Sequence, residues 1–289
     1  MSLDDLPPLR EALEAHGLFA KKSFGQHFLL DLNVTRKIAR LAGPLEDRAV
    51  LEVGPGPGGL TRALLEAGGR VVAIEKDPRF LPLLDALAEA AQGRLTVINA
   101  DALASDDAAL LAAHAPGLPC RVVSNLPYNV GTVLLIKWLL GPLRPEAMAL
   151  MFQKEVAQRI CAGVREEAYG RLAVIAQAVC RARMVMDLPA RAFTPPPKVD
   201  SAVVLLEPLA ERPTDAVLAA LEKVTAAAFG QRRKMLRSSL KPVGGEALCA
   251  AAGVDPQARA EEIPVAGFLA LAACVSATAS RPAGSGRSP

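Results

Sequence analysis

Ala49-Val50-Leu51-Glu52-Val53-Gly54-Pro55-Gly56-Pro57-Gly58-Gly59 decides the fold. The first five residues, apolar but for Glu52, read as a strand. The glycines then turn the chain into a helix that should run to about Ala67, with Gly68 as its stop. Strand, glycine loop and helix in that order open a nucleotide-binding α/β sheet. Taken literally, Gly54, Gly56 and Gly59 also satisfy the dinucleotide fingerprint G-x-G-x-x-G, which admits a dehydrogenase. A pyrophosphate cradle needs backbone N–H donors, however, and Pro55 and Pro57 remove two of them. A loop short of donors better suits a nucleoside ligand without phosphates that needs close backbone approach, and S-adenosylmethionine has that character.

Working downstream, Val71-Val72-Ala73-Ile74 is a strand ending at Glu75, where an acid accepts ribose hydroxyls. NAD and S-adenosylmethionine share that ribose, so Glu75 alone does not separate them. A third strand, Leu95 to Asn99, leads to Asp101, which suits an adenine amino group or caps a helix. The fourth, ending Arg121-Val122-Val123, delivers Ser124-Asn125-Leu126-Pro127-Tyr128-Asn129-Val130. An amide, a main chain stiffened by Pro127 and the ring of Tyr128 can accept hydrogen bonds from an amino group while stacking on the ring that carries it. Alone, the segment reads equally as a β-turn. In company, successive strands present an acid, an acid, then an amide with an aromatic, all on one sheet edge.

The chain has 289 residues, 51% of them hydrophobic, enough for one large domain and a small one. A net charge of +3 is too mild to indicate a nucleic-acid partner, so a basic footprint must come from local clustering. Five scattered cysteines (Cys120, Cys161, Cys180, Cys249, Cys274) and three histidines speak against a disulfide framework or a metal site and for a reducing cytoplasm. The acidic start lacks the basic-then-apolar order of a signal peptide. Val133 to Leu140 and Phe268 to Val275 are too short to span a bilayer, and Lys137 interrupts the first. A soluble protein without a membrane partner is expected.

Upstream, residues 3–20 read as a short amphipathic helix. Lys21 to Asp31 mixes charge, aromatics and a glycine, as a working loop does. Asn33 should cap a helix through about Ala42. Beyond the fourth strand, a fifth (Ala147 to Phe152), helices at 154–163 and 170–179, and strands at Met184 to Met186 and Val203 to Leu206 complete a seven-stranded sheet. Pro208 to Pro213 marks a linker. The expected domains are therefore 1–208, a helical 213–278, and a Ser-, Gly- and Pro-rich tail, 279–289, expected to be disordered. Residues 231–241 hold five basic and no acidic side chains: Arg232, Arg233, Lys234, Arg237 and Lys241. Helical spacing puts Arg233, Arg237 and Lys241 on one face, either a solvated surface or one that tracks RNA phosphates. Lys21, Lys22, Arg181, Arg183, Arg191 and Lys198 extend the candidate footprint.

At this point the chain resembles the bacterial rRNA adenine dimethyltransferases that modify two adjacent adenosines of 16S rRNA. The resemblance runs from about Lys21 to Ala273. It rests on Phe24-Gly25-Gln26-His27-Phe28-Leu29, the glycine loop, Ile74-Glu75, Asn99-Ala100-Asp101-Ala102 and Asn125-Leu126-Pro127-Tyr128-Asn129. Gln153 to Ala157, Tyr169-Gly170-Arg171-Leu172, Phe193 to Ser201 and Phe229 to Lys234 extend it. His27 stands where many relatives carry Asn. The resemblance implies a Rossmann-like class I methyltransferase sheet with a small all-helical C-terminal domain. It implies S-adenosylmethionine as cofactor, 16S rRNA in the small ribosomal subunit as partner, and a monomer. Carried over by motif, His27, Leu29, Gly54, Glu75, Asp101 and Asn125 would contact the cofactor. Asn125 and the carbonyl of Leu126 or Pro127 would hold the target amine, while Tyr128 and Phe193 would stack on its base. A methyltransferase of the same fold acting on a large-subunit rRNA adenine or a small molecule, or an assembly factor with little catalysis, are the alternatives. The intact Glu75, Asp101 and Asn125 to Tyr128 argue against the last.

Overall fold

The computed structural model describes residues 2–18 and 26–279. Lys21, Lys22, Phe24, Gly25 and the tail from 280 lie outside the described residues. Nine strands follow in chain order: β1 (Phe28–Leu29), β2 (Ala49–Val53), β3 (Arg70–Glu75), β4 (Leu95–Asn99), β5 (Cys120–Asn125), β6 (Ala147–Gln153), β7 (Cys180–Leu188), β8 (Phe193–Thr194) and β9 (Ser201–Pro208). Seven form one sheet in the order β4-β3-β2-β5-β6-β9-β7. From β4 to β6 neighbours run parallel, and β9 pairs antiparallel with β6. All of β2 is buried, as a parallel strand covered on both faces must be. Helices Leu32–Leu41, Gly59–Glu66 and Leu81–Ala90 bury Ile38, Leu64 and Leu87 in a core shared with Val50, Val71 and Val123.

The two-residue strands β1 and β8 pair with each other, Leu29 opposite Phe193, and periodicity gives no sign of them. Two helix boundaries differ from expectation. Pro7 and Pro8 break the first into a 3-10 turn, Leu3–Asp5, and a helix, Leu9–Ala15, because proline lacks the N–H that a continuous helix needs. The second helix starts two residues earlier: Asp31, not Asn33, is its cap, its carboxylate accepting the Asn33 N–H at 2.8 Å.

The chain divides into two compact units, residues 1–157 with 182–208, and 158–181 with 209–289. The segment 158–181, expected in the first domain as a crossover between strands, instead packs with the C-terminal helices. The buried Tyr169 donates its hydroxyl to the Ile263 carbonyl at 2.9 Å and meets the Phe229 ring edge-on. Arg171 pairs with Glu222 at 3.0 Å. The second unit's helices are therefore Arg171–Gln177, Asp215–Gly230, Leu236–Ser239, Gly245–Ala252 and Val265–Ala279. Among the described residues no helix is long and apolar enough to cross a membrane, and no cluster of three or more His, Cys, Asp or Glu could hold a metal ion.

Candidate active site

A cavity of about 210 Å³ opens at the carboxyl ends of β2, β3, β4 and β5. Crossovers leave β2 towards β3 on one side and return at β5 on the other, so the crevice falls at the point where open α/β sheets bind ligands. Gly54 turns the chain here at a φ of +69°, and a Cβ on it would press on the Pro127 ring at 3.3 Å. A Cβ at Gly59 would stand 2.6 Å from the Leu29 carbonyl oxygen, so glycine lets β1 close down on the loop.

Three of the loop's amides are already committed inside the protein. Gly54 N–H donates to the Ile74 carbonyl at 2.9 Å, Gly58 N–H to Pro55 at 3.0 Å, and Gly56 N–H to the Glu75 carboxylate at 2.9 Å. With Pro55 and Pro57 lacking N–H groups, little is left for a pyrophosphate. Glu75 is 6% exposed, and its other oxygen accepts the Asp77 N–H at 2.8 Å. Burial pushes its carboxyl above the usual range, while these backbone bonds pull the other way. A carboxylate has about four acceptor sites, so these backbone bonds leave room for a ligand hydroxyl.

Asp101 stands at the rim beyond β4, one oxygen accepting the Leu103 N–H at 2.9 Å and the other the Lys76 ammonium at 2.8 Å. The Lys76 bond is the main reason its carboxyl lies below the ordinary range. The loop behind it is tied to helix Gly131–Leu140. Lys137 donates to the Ala102 and Ser105 carbonyls at 2.7 and 2.6 Å and pairs with the buried Asp107 at 2.9 Å, while the Trp138 indole donates to that carboxylate at 2.7 Å. The cation that merely interrupts an apolar run in the sequence thus holds the loop that carries Asp101.

Asn125 closes β5, and its amide nitrogen donates to the His27 carbonyl at 3.4 Å. The Pro127 carbonyl accepts both Val130 and Gly131 N–H groups, at 3.1 and 3.0 Å. Tyr128 is half-buried, its hydroxyl 2.7 Å from the Ser201 hydroxyl, and its ring stacks on His27 at 5.7 Å. His27 Nδ1 lies 2.8 Å from the Pro195 carbonyl, which can only accept, so that nitrogen carries the proton. His27, Leu29, Gly54, Glu75, Asp101 and Asn125 all line the cavity, as do Leu126, Pro127 and Tyr128. Phe193 does not. Its ring is 2% exposed in the core beside Leu29. In this arrangement Phe193 packs opposite Leu29 and supports the β1 segment that carries His27 to Leu29.

Two features of the site are not expected from the sequence. Gln26 donates to Asp77 at 3.0 Å, and Arg79 donates to the same carboxylate at 2.9 Å. These bonds, with Arg79 first, bring the Asp77 carboxyl down to about 2 and fasten the β1 segment to the turn after Glu75. Glu52, on the middle strand, lines the cavity yet is only 1% exposed, and its Oε2 has no hydrogen-bond partner. Burial pushes it up to about 8, with the Glu75 charge adding and the Thr61 hydroxyl opposing.

The sequence profile described as Ribosomal RNA adenine dimethylase matches residues 17–276. The chain belongs to the ribosomal RNA adenine dimethylase family. It is 70% identical over 272 residues to the Ribosomal RNA small subunit methyltransferase A of Phenylobacterium zucineum (strain HLK1), covering 94% of each chain. It is 71% identical over 253 residues to the protein of that name from Caulobacter vibrioides (strain ATCC 19089 / CIP 103742 / CB 15), covering 88% of this chain and 96% of the relative. A solved dimethyladenosine transferase from Plasmodium falciparum has the same fold, at a TM-score of 0.68 and 24% identity over 85% of this chain and 96% of that one.

In this family member the basic run at 231–241 departs from the expected single helix. Residues 231–235 are turn and bridge, only Leu236–Ser239 is α-helical, and Lys241–Val243 is a 3-10 turn. Burial of Leu236 and Leu240 directs the packing, and the chain bends around them. Arg232 is engaged, donating to Glu261 and to the Glu167 carbonyl, each at 2.8 Å. Arg233, Lys234, Arg237 and Lys241 are exposed.

Proposed function

We propose that this chain transfers methyl groups from S-adenosylmethionine to the exocyclic amines of two adjacent adenosines near the 3′ end of 16S rRNA in the small ribosomal subunit, giving dimethyladenosines in the cytoplasm as part of ribosome biogenesis. The observation that carries the cofactor reading is the glycine loop whose Gly54, Gly56 and Gly58 donors are spent internally, beside the buried Glu75 carboxylate. That arrangement suits a nucleoside without phosphates and disfavours a dinucleotide. Glu75 would hold the ribose and Asp101 the adenine amine, with Lys76 giving up part of its bond. Small-subunit specificity is taken from the relatives that match at about 70% identity.

The cofactor supplies an electrophilic methyl group. The chain's task is to raise the nucleophilicity of an amine whose lone pair is spread into the adenine ring. Asn125 Oδ1 and a backbone carbonyl accept its two N–H groups in a pyramidal arrangement, which concentrates the lone pair on nitrogen and is favoured only as the bond forms. With both lone pairs of the Pro127 carbonyl engaged in the turn, the Leu126 carbonyl is the acceptor. The lone pair forms the N–C bond, the C–S electrons leave with sulfur, and the acidic product ammonium loses its proton to water. Tyr128 supplies the stacking face that offsets unstacking of the target base, and His27 yields its place on the ring.

Glu75→Ala is expected to weaken binding of S-adenosylmethionine or its demethylated product by about 1.5–3 kcal/mol, the scale of hydrogen bonds to a charged group. Calorimetry on both proteins measures it, and tight NAD binding by the parent chain would sink the methyltransferase reading. Incubation with labelled S-adenosylmethionine and under-methylated 30S particles, with modified nucleosides mapped by mass spectrometry, tests the substrate.

A pocket that recognises adenine cannot choose one adenosine pair, so the RNA is held elsewhere. We assign that role to the helical unit, acting in a monomer, through Arg233, Arg237 and Lys241, with Lys234 beside them and Arg232 fixing the turn. Changing Arg233, Arg237 and Lys241 together to Gln should spare cofactor affinity, weaken binding to the particle and flatten its salt dependence. An unchanged salt slope in particle-binding titrations would show that these cations are only solvated.

A further inference from the structure

Lys137 is an odd residue for its position. It interrupts the helix Gly131–Leu140, whose other turns bury Leu134, Leu135, Trp138 and Leu139. Its ammonium has three N–H groups, and each has an acceptor: the Ala102 carbonyl at 2.7 Å, the Ser105 carbonyl at 2.6 Å and the buried Asp107 carboxylate at 2.9 Å. An ion pair drawn out of water adds little net stability, because desolvation offsets the attraction. Asp107, moreover, already has the Trp138 indole at 2.7 Å and the Ser105 hydroxyl at 3.0 Å. What the ammonium adds is a fixed position for the loop that follows β4. That loop needs a tether from outside. Leu103 beside the cavity is 41% exposed, so little apolar packing holds it, and the Asp101 carbonyl turns back on the loop itself, accepting the Ala104 and Ser105 N–H groups at 3.0 and 3.1 Å. The same helix begins at the Pro127 carbonyl, which its Gly131 N–H meets at 3.0 Å, so the tether is anchored on the turn that carries Tyr128.

Resting on the reading in which Asp101 accepts the adenine amine, we infer that Lys137 is a positioning residue that makes the site select a 6-aminopurine over a 6-oxopurine. With the loop held, the Asp101 carboxylate stands where it accepts the hydrogens of a 6-amino group and repels the oxygen of a 6-oxo group. The charge of Lys137 acts in the same sense: the Lys76 bond first, then the Leu103 N–H, and last the Lys137 ammonium hold the Asp101 carboxyl low and ionised. Without Lys137 the loop can withdraw from the purine edge. Attraction and repulsion then fade together, which loss of stability alone does not imitate.

The test is calorimetry of the full chain with S-adenosylhomocysteine and with S-inosylhomocysteine, which differs at the purine edge, a carbonyl replacing the 6-amino group and N1 gaining a hydrogen. The parent chain should prefer S-adenosylhomocysteine by about ten- to a hundredfold, the scale of a hydrogen bond to a charged group. Lys137→Met should weaken S-adenosylhomocysteine by about tenfold, leave S-inosylhomocysteine as tight or tighter, and bring the two within about threefold of each other. Should the unpaired Asp107 prevent folding, Lys137→Met combined with Asp107→Asn removes both charges and carries the same expectation. Trp138→Phe removes the indole bond and core volume but none of the three Lys137 bonds, so it should lower the thermal midpoint and keep the parent preference. A Lys137 variant that keeps the parent ratio, or a Trp138 variant that loses it equally, overturns the assignment to Lys137 and leaves the cofactor reading intact. Equal binding of the two ligands by the parent chain overturns the assignment through Asp101, and failure of both to bind overturns it together with the cofactor reading.

Discussion

Asn125→Ala is expected to lower the single-turnover rate of methyl transfer by about 10²–10³-fold, the usual consequence of removing one preorganised polar group from the reacting centre. Cofactor affinity should change far less. The amide already spends its nitrogen on the His27 carbonyl, which fixes the orientation that leaves Oδ1 for the target amine. That oxygen gains most when nitrogen becomes tetrahedral, so its loss falls on the transition state rather than on binding. Freeing the His27 carbonyl accounts for the small effect on the cofactor, through a strand that also carries Leu29. Rapid-quench measurement with enzyme in excess over under-methylated particles, alongside calorimetry, separates the two. A near-normal rate would remove Asn125 from the chemistry.

Glu52→Gln should have the opposite sign in the cofactor-free protein, making it more stable. In the folded chain burial holds the Glu52 carboxyl up near 8, against an ordinary value of 4.5. A group raised in this way contributes stability fully below pH 4.5, and that contribution is lost as pH rises through 8. At pH 7 the loss is on the order of 3 kcal/mol, and glutamine, which does not titrate, escapes it. The thermal midpoints of the two proteins should therefore differ little from their acid-pH offset near pH 5 and diverge by roughly 5–10 °C towards pH 8. A gap that stays constant with pH would show that Glu52 is not strained by charge.

How much of this is legible before folding depends on the range of the interaction. The β2 loop, Glu75, Asp101 and the Asn125 to Tyr128 segment are visible because strand periodicity and turn residues act locally, and the parallel order then carries them to one edge. Phe193 is the opposite case, since an aromatic beside prolines looks alike whether it faces a base or the core. Its register opposite Leu29 puts it in the core. Glu52 reads as an ordinary polar position in an apolar strand; only burial on both faces of the sheet sets it apart. Lys137 is similar, its partners being carbonyls of a distant loop. In 231–241 helical spacing over-predicts one continuous helix, because the buried leucines impose bends that spacing cannot register.

The pairing of β1 with β8 has a consequence for the order in which the protein matures. One wall of the cavity, Gln26 to Leu29, is made near the start of the chain, but its partners are made late: His27 meets a carbonyl 168 residues further on, and Tyr128 meets a hydroxyl 73 residues further on. A nascent chain can therefore assemble the glycine loop and its parallel neighbours from local crossovers long before it can close that wall. Until Ser201 has left the ribosome the cavity stands open on one side, so it is complete only when nearly the whole sheet has been synthesised.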